Sequence, residues 1–102
     1  SQMNLITYEL SEEADSDLDS IFDYTEREHG YDQAVKYLLE LAHLFEQLVL
    51  NPNLGRQRGE LKSGILSIAA EQHLVFYTFN DGLILIVRVL HGRMDVPKYL
   101  DL

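Results

Sequence analysis

The chain has 102 residues, a formal net charge of −9 and no cysteine. That length suits one domain, and the missing thiols exclude disulfides, thiolate chemistry and sulfur-ligated zinc. A protein living on phosphate contacts would be basic, so general nucleic-acid binding is disfavoured and no direct nucleic-acid contact is expected.

Asn4 to Leu10 predicts a first strand, with Leu5, Thr7 and Glu9 alternating against Ile6, Tyr8 and Leu10. Ser1-Gln2, ahead of Met3, reads as a cloning remnant and is set aside. Ser11 then caps a helix whose first turn holds Glu12, Glu13 and Asp15, where acids suit the helix dipole. Ala14, Leu18, Ile21, Phe22 and Thr25 form its buried face, and the acids between them are expected on a solvated face. Gly30 stops this helix, and a second runs from Tyr31 or Asp32 to Leu50. Its apolar residues cover more than one stripe, so it is expected to be buried on two sides, against its own domain and against a partner or more sheet. Asn51-Pro52 ends it.

A polar connection, Asn53 to Lys62, leads to three strands: Gly64 to Ala70, His73 to Asn80 and Leu83 to His91. Asp81-Gly82 is the dipeptide of a two-residue hairpin turn. Counting outward from it sets Asn80 opposite Leu83 and His73 opposite Leu90, with His91 diagonal. Leu83 to Val87 is apolar on both faces, which predicts a strand that is central or covered twice. Pro97 breaks further pairing and leaves a short tail. The order is β-α-α-β-β-β: an α+β layer pair, a helical hairpin on a mostly antiparallel four-stranded sheet, in one domain over residues 1–102. No early apolar run follows a basic start, and the longest apolar stretch is too short to span a bilayer, so a cytoplasmic protein without a membrane segment is expected.

The charge is unevenly placed. Residues 1–55 hold twelve acids against Arg27 and Lys36, a net −10; residues 56–102 hold six bases against five acids, a net +1. The C-terminal half can meet an anionic partner locally, and the N-terminal half would repel one. His29, His43, His73 and His91 show no metal-ligand spacing, so neither a metal nor another cofactor is expected. Gly55-Arg56-Gln57-Arg58-Gly59 lacks the lysine and hydroxyl of a phosphate loop; its glycines set turns and its arginines project. The hairpin instead gathers His73, His91 and the charged knot Arg88 to Asp95 at one end of the sheet. The plain alternative is that Asp95 pairs with Arg93 or Arg88 and fixes the chain end.

Three segments carry a resemblance: Asn51-Pro52-Asn53-Leu54-Gly55-Arg56-Gln57-Arg58, His73-Leu74-Val75-Phe76-Tyr77 and Arg88-Val89-Leu90-His91-Gly92-Arg93-Met94-Asp95. Gln33-Ala34-x-x-Tyr37-Leu38 and Asp17-Leu18-x-x-Ile21-x-x-Tyr24 add to it. Together, in order and over nearly the whole chain, they resemble the ParE branch of the RelE/ParE toxins, proteins also known from plasmid stabilisation systems. The resemblance implies the toxin of a type II toxin–antitoxin system. ParE-type relatives are reported to poison DNA gyrase, and RelE-type relatives cut mRNA on the ribosome. Both are neutralised by an antitoxin, which implies a ParD-like partner and a hetero-oligomer.

A gyrase inhibitor would be a binding module rather than an enzyme, with no catalytic residue. The target contact is then expected at Arg56, Arg58, Arg93, Met94, Tyr99 and Leu100. The antitoxin contact is expected on the second helix and its neighbour, at Tyr24, Tyr37, Leu41 and Phe45, with simple core as the alternative for Leu41 and Phe45. Under the ribonuclease alternative, His73, Arg93 and Tyr99 would serve as base, phosphate-binding cation and acid; a further alternative is an inactive relative that only binds antitoxin.

Overall fold

The computed structural model describes residues 6–101. Its elements are β1 (Thr7–Leu10), α1 (Glu12–His29), α2 (Tyr31–Leu50), β2 (Arg56–Gln57), β3 (Leu66–Ala70), β4 (His73–Asn80), β5 (Leu83–His91) and the short α3 (Val96–Tyr99). Asn4 and Leu5, expected in the first strand, lie outside the described residues.

The helix boundaries follow the local chemistry. Ser11 Oγ accepts the Ala14 N–H, satisfying one of the donors that every helix start leaves open. Gly30 serves both helices: its N–H closes α1 on the Glu26 carbonyl, and its own carbonyl takes the Ala34 N–H of α2. The buried face of α2 is the stripe Ala34, Tyr37, Leu41, Phe45 and Leu48, at helical spacing.

The sheet order is β1-β5-β4-β3-β2, with β1 parallel to β5 and every other pair antiparallel. The α+β hairpin-on-sheet architecture is therefore present, with five strands where the sequence predicts four. The extra one, β2, has two residues and sits in the expected polar connection. So short a segment has no periodicity to reveal it. Both helices pack on one sheet face, over Val75, Tyr77, Ile84, Ile86 and Val89. The other face carries a smaller cluster, Ile65, Phe76 and Leu90, which Leu61, Leu74, Val96 and Leu100 cover in part. β5 is thus covered on both sides only at Leu90; over Leu83–Val87, where two apolar faces predicted a strand that is central or covered twice, it is central, between β1 and β4, with Leu83, Leu85 and Val87 half-buried.

The β4–β5 hairpin turns at Asp81 and Gly82, both at positive φ, as its dipeptide requires. The register runs as counted from Asn80↔Leu83 to Tyr77↔Ile86, then shifts by one, so that Phe76 faces Arg88 and His73 faces His91. A β-bulge at Val87 causes the shift, and it corrects the expected pairing of His73 with Leu90. The bulge lies where β1 stops. Leu10 pairs with Ile86, the Ser11 N–H bonds to the Ile86 carbonyl, and the Ser11 hydroxyl donates to the Val87 carbonyl.

Beyond that point β5 has no strand beside it on this edge among the described residues, and α1 takes over. Asp17 Oδ2 accepts the Val89 N–H and the Arg88 Nε–H, while Oδ1 accepts Arg88 Nη2–H at 2.7 Å. Both side chains of this pair are mostly buried, and Arg88 Nη1 also donates to the Tyr99 carbonyl. The expected alternative pairing of Arg88 with Asp95 is therefore corrected: Arg88 is taken by Asp17, and Asp95 caps α3 without a side-chain bond. Asp17 is also the exception to the solvated acidic face of α1.

A second anchor fixes the connection after α2. The buried Tyr77 hydroxyl donates to the Pro52 carbonyl and accepts the Gly55 N–H. A Cβ at position 55 would sit 2.6 Å from the Tyr77 hydroxyl oxygen and 2.8 Å from the Ser67 carbonyl.

Three stability outcomes follow. Asp17→Ala strands a mostly buried guanidinium and the Val89 N–H, and is expected to cost about 3–5 kcal/mol in urea unfolding. Asp17→Asn, which keeps an acceptor but not the charge, is expected to cost less. Gly55→Ala overpacks the Tyr77 anchor and is expected to lose about 1–3 kcal/mol, read as a fall in thermal midpoint of several degrees; an unchanged midpoint would mean the loop gives way freely.

Candidate functional site

Two adjoining hollows form a trough at the end of the sheet where β4 begins and β5 ends. One, of about 360 Å³, is bounded by Tyr24, Thr25 and His29 of α1, Gln33 and Tyr37 of α2, the Glu71-Gln72 turn, and His73 and His91. The other, of about 290 Å³, shares Tyr24, His73 and His91 and adds Asp17, Ser20, Ile21, Val89 and Met94. The first is polar and aromatic; the second has an apolar wall.

The floor is the opposed pair His73 and His91, whose ring centroids lie 5.4 Å apart at an interplanar angle of 83°. The bulge puts them there, since without the shift they would be diagonal and on opposite faces. Tyr37, anchored in the α2 core stripe, holds His73. Its hydroxyl donates to the Ala70 carbonyl at 2.9 Å and lies 2.7 Å from His73 Nδ1, so Nδ1 carries the proton and donates to Tyr37. His91 Nδ1 accepts the Arg93 N–H at 3.1 Å, so its proton sits on Nε2. Burial, and then the nearby His91, hold the His73 pKa below the usual imidazole value, against a smaller opposing pull from Asp17. Burial, aided by Glu71 and Glu40, pushes the Tyr37 phenol up to about 12.

The expected target residues divide. Arg56, Ser67, Phe76 and Arg88 form one cross-strand row, so Arg56 shares the outer sheet face with Phe76. Arg58 lies over the Phe76 ring, donates to Ser67 Oγ and pairs with Glu60 at 2.8 Å, which takes up much of its charge. Tyr99 stacks on the Arg88 guanidinium, and Leu100 packs on the outer cluster. Arg93 is exposed in the turn after β5, and Met94 faces the trough on the helix side. The six residues therefore do not form one patch.

The three residues of the ribonuclease alternative also separate. His73 is on the helix side of the sheet with Tyr37, whereas Tyr99 is on the outer side with Arg88. For the antitoxin contact, Tyr24 is exposed, but Tyr37, Leu41 and Phe45 are 7%, 1% and 2% exposed and belong to the core. For Leu41 and Phe45 the alternative of simple core therefore holds, whereas Tyr37, though mostly buried, still lines the trough. The large apolar side chains that α2 exposes are instead Tyr31, Leu39 and Leu50, with Leu39 in a shallow groove with Val35, Lys36 and His43.

The family model described as ParE toxin of type II toxin-antitoxin system, parDE, matches residues 8–96. The chain belongs to the ParE toxin family. It is 42% identical to Toxin ParE1 of Mycobacterium tuberculosis over 94 residues, 91% of this chain and 96% of the relative. It is 32% identical to Toxin ParE of Escherichia coli over 97 residues, covering 94% of each. A solved chain of the chromosomal ParDE TA system from P. aeruginosa shares the fold, with a TM-score of 0.76 at 20% identity, over 87% of this chain and 98% of that one.

Within this ParE-family chain, Asp17 and Tyr37 are the supporting residues that sequence reasoning did not cast in their roles. Asp17 follows Ala14 by three and precedes Ile21 by four, so its spacing places it on the buried stripe among otherwise outward acids. No group of His, Asp and Glu among the described residues is placed to hold a metal ion, and no helix there is long and apolar enough to cross a membrane.

The titrations give a signed prediction. His73 binds its proton less readily folded than unfolded, so acidification below the unfolded value near 6.5 is expected to erode stability. Tyr37 stays neutral when folded to about pH 12 and ionises near 10 when unfolded, so its contribution is full below 10 and is lost between those values. Thermal midpoints between pH 7.5 and 5.5 are expected to fall less steeply in His73→Gln than in the parent protein; equal slopes would remove His73 from the account.

Proposed function

We propose that this ParE-family toxin acts in the cytoplasm by binding DNA gyrase, that a ParD-like antitoxin neutralises it in a hetero-oligomer, and that the pair stabilises the replicon encoding it. The observation that carries the target reading is the likeness to ParE toxins over residues 8–96, including the Leu90 to Asp95 segment. The antitoxin reading is supported by the ParDE system to which the solved relative belongs.

A binding role is supported by Arg56, Arg93 and Tyr99, which present cations and an aromatic ring at the surface of an acidic chain. Inhibition of this kind needs no catalytic group: a protein that binds one state of the gyrase cycle more tightly than the others holds the machine there. The state expected here is the one with cleaved DNA. The contact centres on Arg93 and Tyr99, with Arg56 further across the outer face; Arg58 and Leu100 contribute less because Glu60 and the outer apolar cluster already engage them. On the antitoxin side, the exposed acids of α1 and Tyr24 favour a basic segment.

The test is supercoiling of relaxed plasmid by gyrase with ATP and antitoxin-free protein, scored for lost supercoiling and for trapped linear DNA. Inhibition with linear product is expected. Arg93→Glu is expected to weaken inhibition at least tenfold with an unchanged thermal midpoint. Folded protein without effect on gyrase would sink the reading and direct the search to ribosome-dependent mRNA cleavage.

A further inference from the structure

The trough has a chemistry of its own, separate from the arginines of the proposed target contact. Tyr37 fixes His73 with its proton on Nδ1, and the Arg93 N–H fixes His91 with its proton on Nε2. Each ring therefore has one nitrogen to spare, and the two differ: His73 Nε2 is a bare acceptor and His91 Nε2–H is a donor. Neither makes a hydrogen bond within the protein. No buried side-chain nitrogen or oxygen among the described residues lacks a partner, so both Nε2 atoms reach solvent, and the surface these rings line is the trough.

We propose that the trough recognises the primary amide of an asparagine or glutamine side chain of a partner polypeptide, whose carbonyl takes the His91 Nε2–H and whose N–H donates to His73 Nε2. A primary amide presents its carbonyl oxygen and one N–H side by side on a single edge, which matches a mixed acceptor and donor on neighbouring imidazoles whose ring centroids lie 5.4 Å apart. A carboxylate offers only acceptors and would leave His73 unmatched; an ammonium offers only donors and would leave His91 unmatched. A nucleotide has base edges of the right pattern, but its phosphate would meet Asp17, Glu71 and the acidic α1. The apolar wall of Ile21, Val89 and Met94 suits a neighbouring apolar side chain of a polypeptide. Naming the antitoxin as that polypeptide rests on the toxin–antitoxin reading; the recognition chemistry does not.

Long-range proton–nitrogen spectra of the full chain, labelled at histidine, read the two tautomers directly. Opposite tautomers are expected, and the same tautomer at both rings overturns the proposal. Isobutyramide then serves as the probe, with isobutyrate, isobutylamine and adenosine as comparators. Isobutyramide is expected to move both Nε2 signals at concentrations at least fivefold lower than any comparator. Equal or better binding by the acid or the amine overturns the proposal, and preference for adenosine transfers the site to a nucleobase. His91→Phe, which keeps a ring and removes the donor, is expected to abolish the isobutyramide response at His73; a response that persists also overturns it. The tautomer measurement needs no variant, so it stands even where a substitution disturbs folding. Neither arm involves gyrase or antitoxin, so its failure is distinguishable from failure of the functional reading.

Discussion

The Asp17 carboxylate is the point on which the two layers of this protein depend. β1 is only four residues long and, among the described residues, leaves the far half of the β5 edge without a strand beside it. A bare edge of that kind exposes main-chain groups that must be satisfied or that invite another chain. α1 closes it from above: Ser11 takes the carbonyls at the bulge, and Asp17 takes the next N–H together with the guanidinium of Arg88. Arg88 lies in the outer-face row with Phe76, so by reaching round the edge it ties the helix layer to the outer face and, through the Tyr99 carbonyl, to the tail. Helix, sheet edge and tail therefore share one cluster of charge-assisted hydrogen bonds.

The trough inherits its shape from that cluster. Asp17 sits at one end, and the strand it stabilises delivers His91 opposite His73. Tyr37 supplies the other constraint, from a core position whose hydroxyl bonds Ala70 and His73 and whose ring lies 5.6 Å from the His73 ring. The protein is also electrically two-sided. Its exposed acids concentrate on the helices, whereas Arg56, Arg58 and Arg88 belong to the outer sheet face.

Much of the fold was legible because its signals are local. Ser11, Gly30, Asn51-Pro52 and Asp81-Gly82 mark boundaries through capping and turn chemistry that depends on a few neighbours, and the structure puts the boundaries there. What escaped depended on neighbours distant in sequence. The bulge at Val87 has no glycine to announce it; it coincides with the end of β1, where Ser11, 76 positions away, bonds the Val87 carbonyl. The histidines were placed at the right end of the sheet but one residue out of register. Asp17 was submerged in a run of similar acids, although its spacing from Ala14 and Ile21 was the clue. Tyr37, Leu41 and Phe45 looked like surplus apolar surface because a helix packed on both a sheet and a second helix shows a wide stripe; the structure absorbs all three into its own core.

The bulge carries one consequence for how this strand can vary. Val87 is the residue by which β5 exceeds what β4 requires, for pairing is regular on either side of it. Excising it would leave each remaining residue with its present partner and on its present face, at the loss of the Ser11 hydroxyl contact and the bend. Substituting neighbours to iron out the bulge while keeping the chain length would do the opposite, sending Val89 and His91 to the outer side and Arg88 into the core. A strand of this design tolerates a deletion at one position more readily than a shift of phase. Homologues one residue shorter there could keep the same trough.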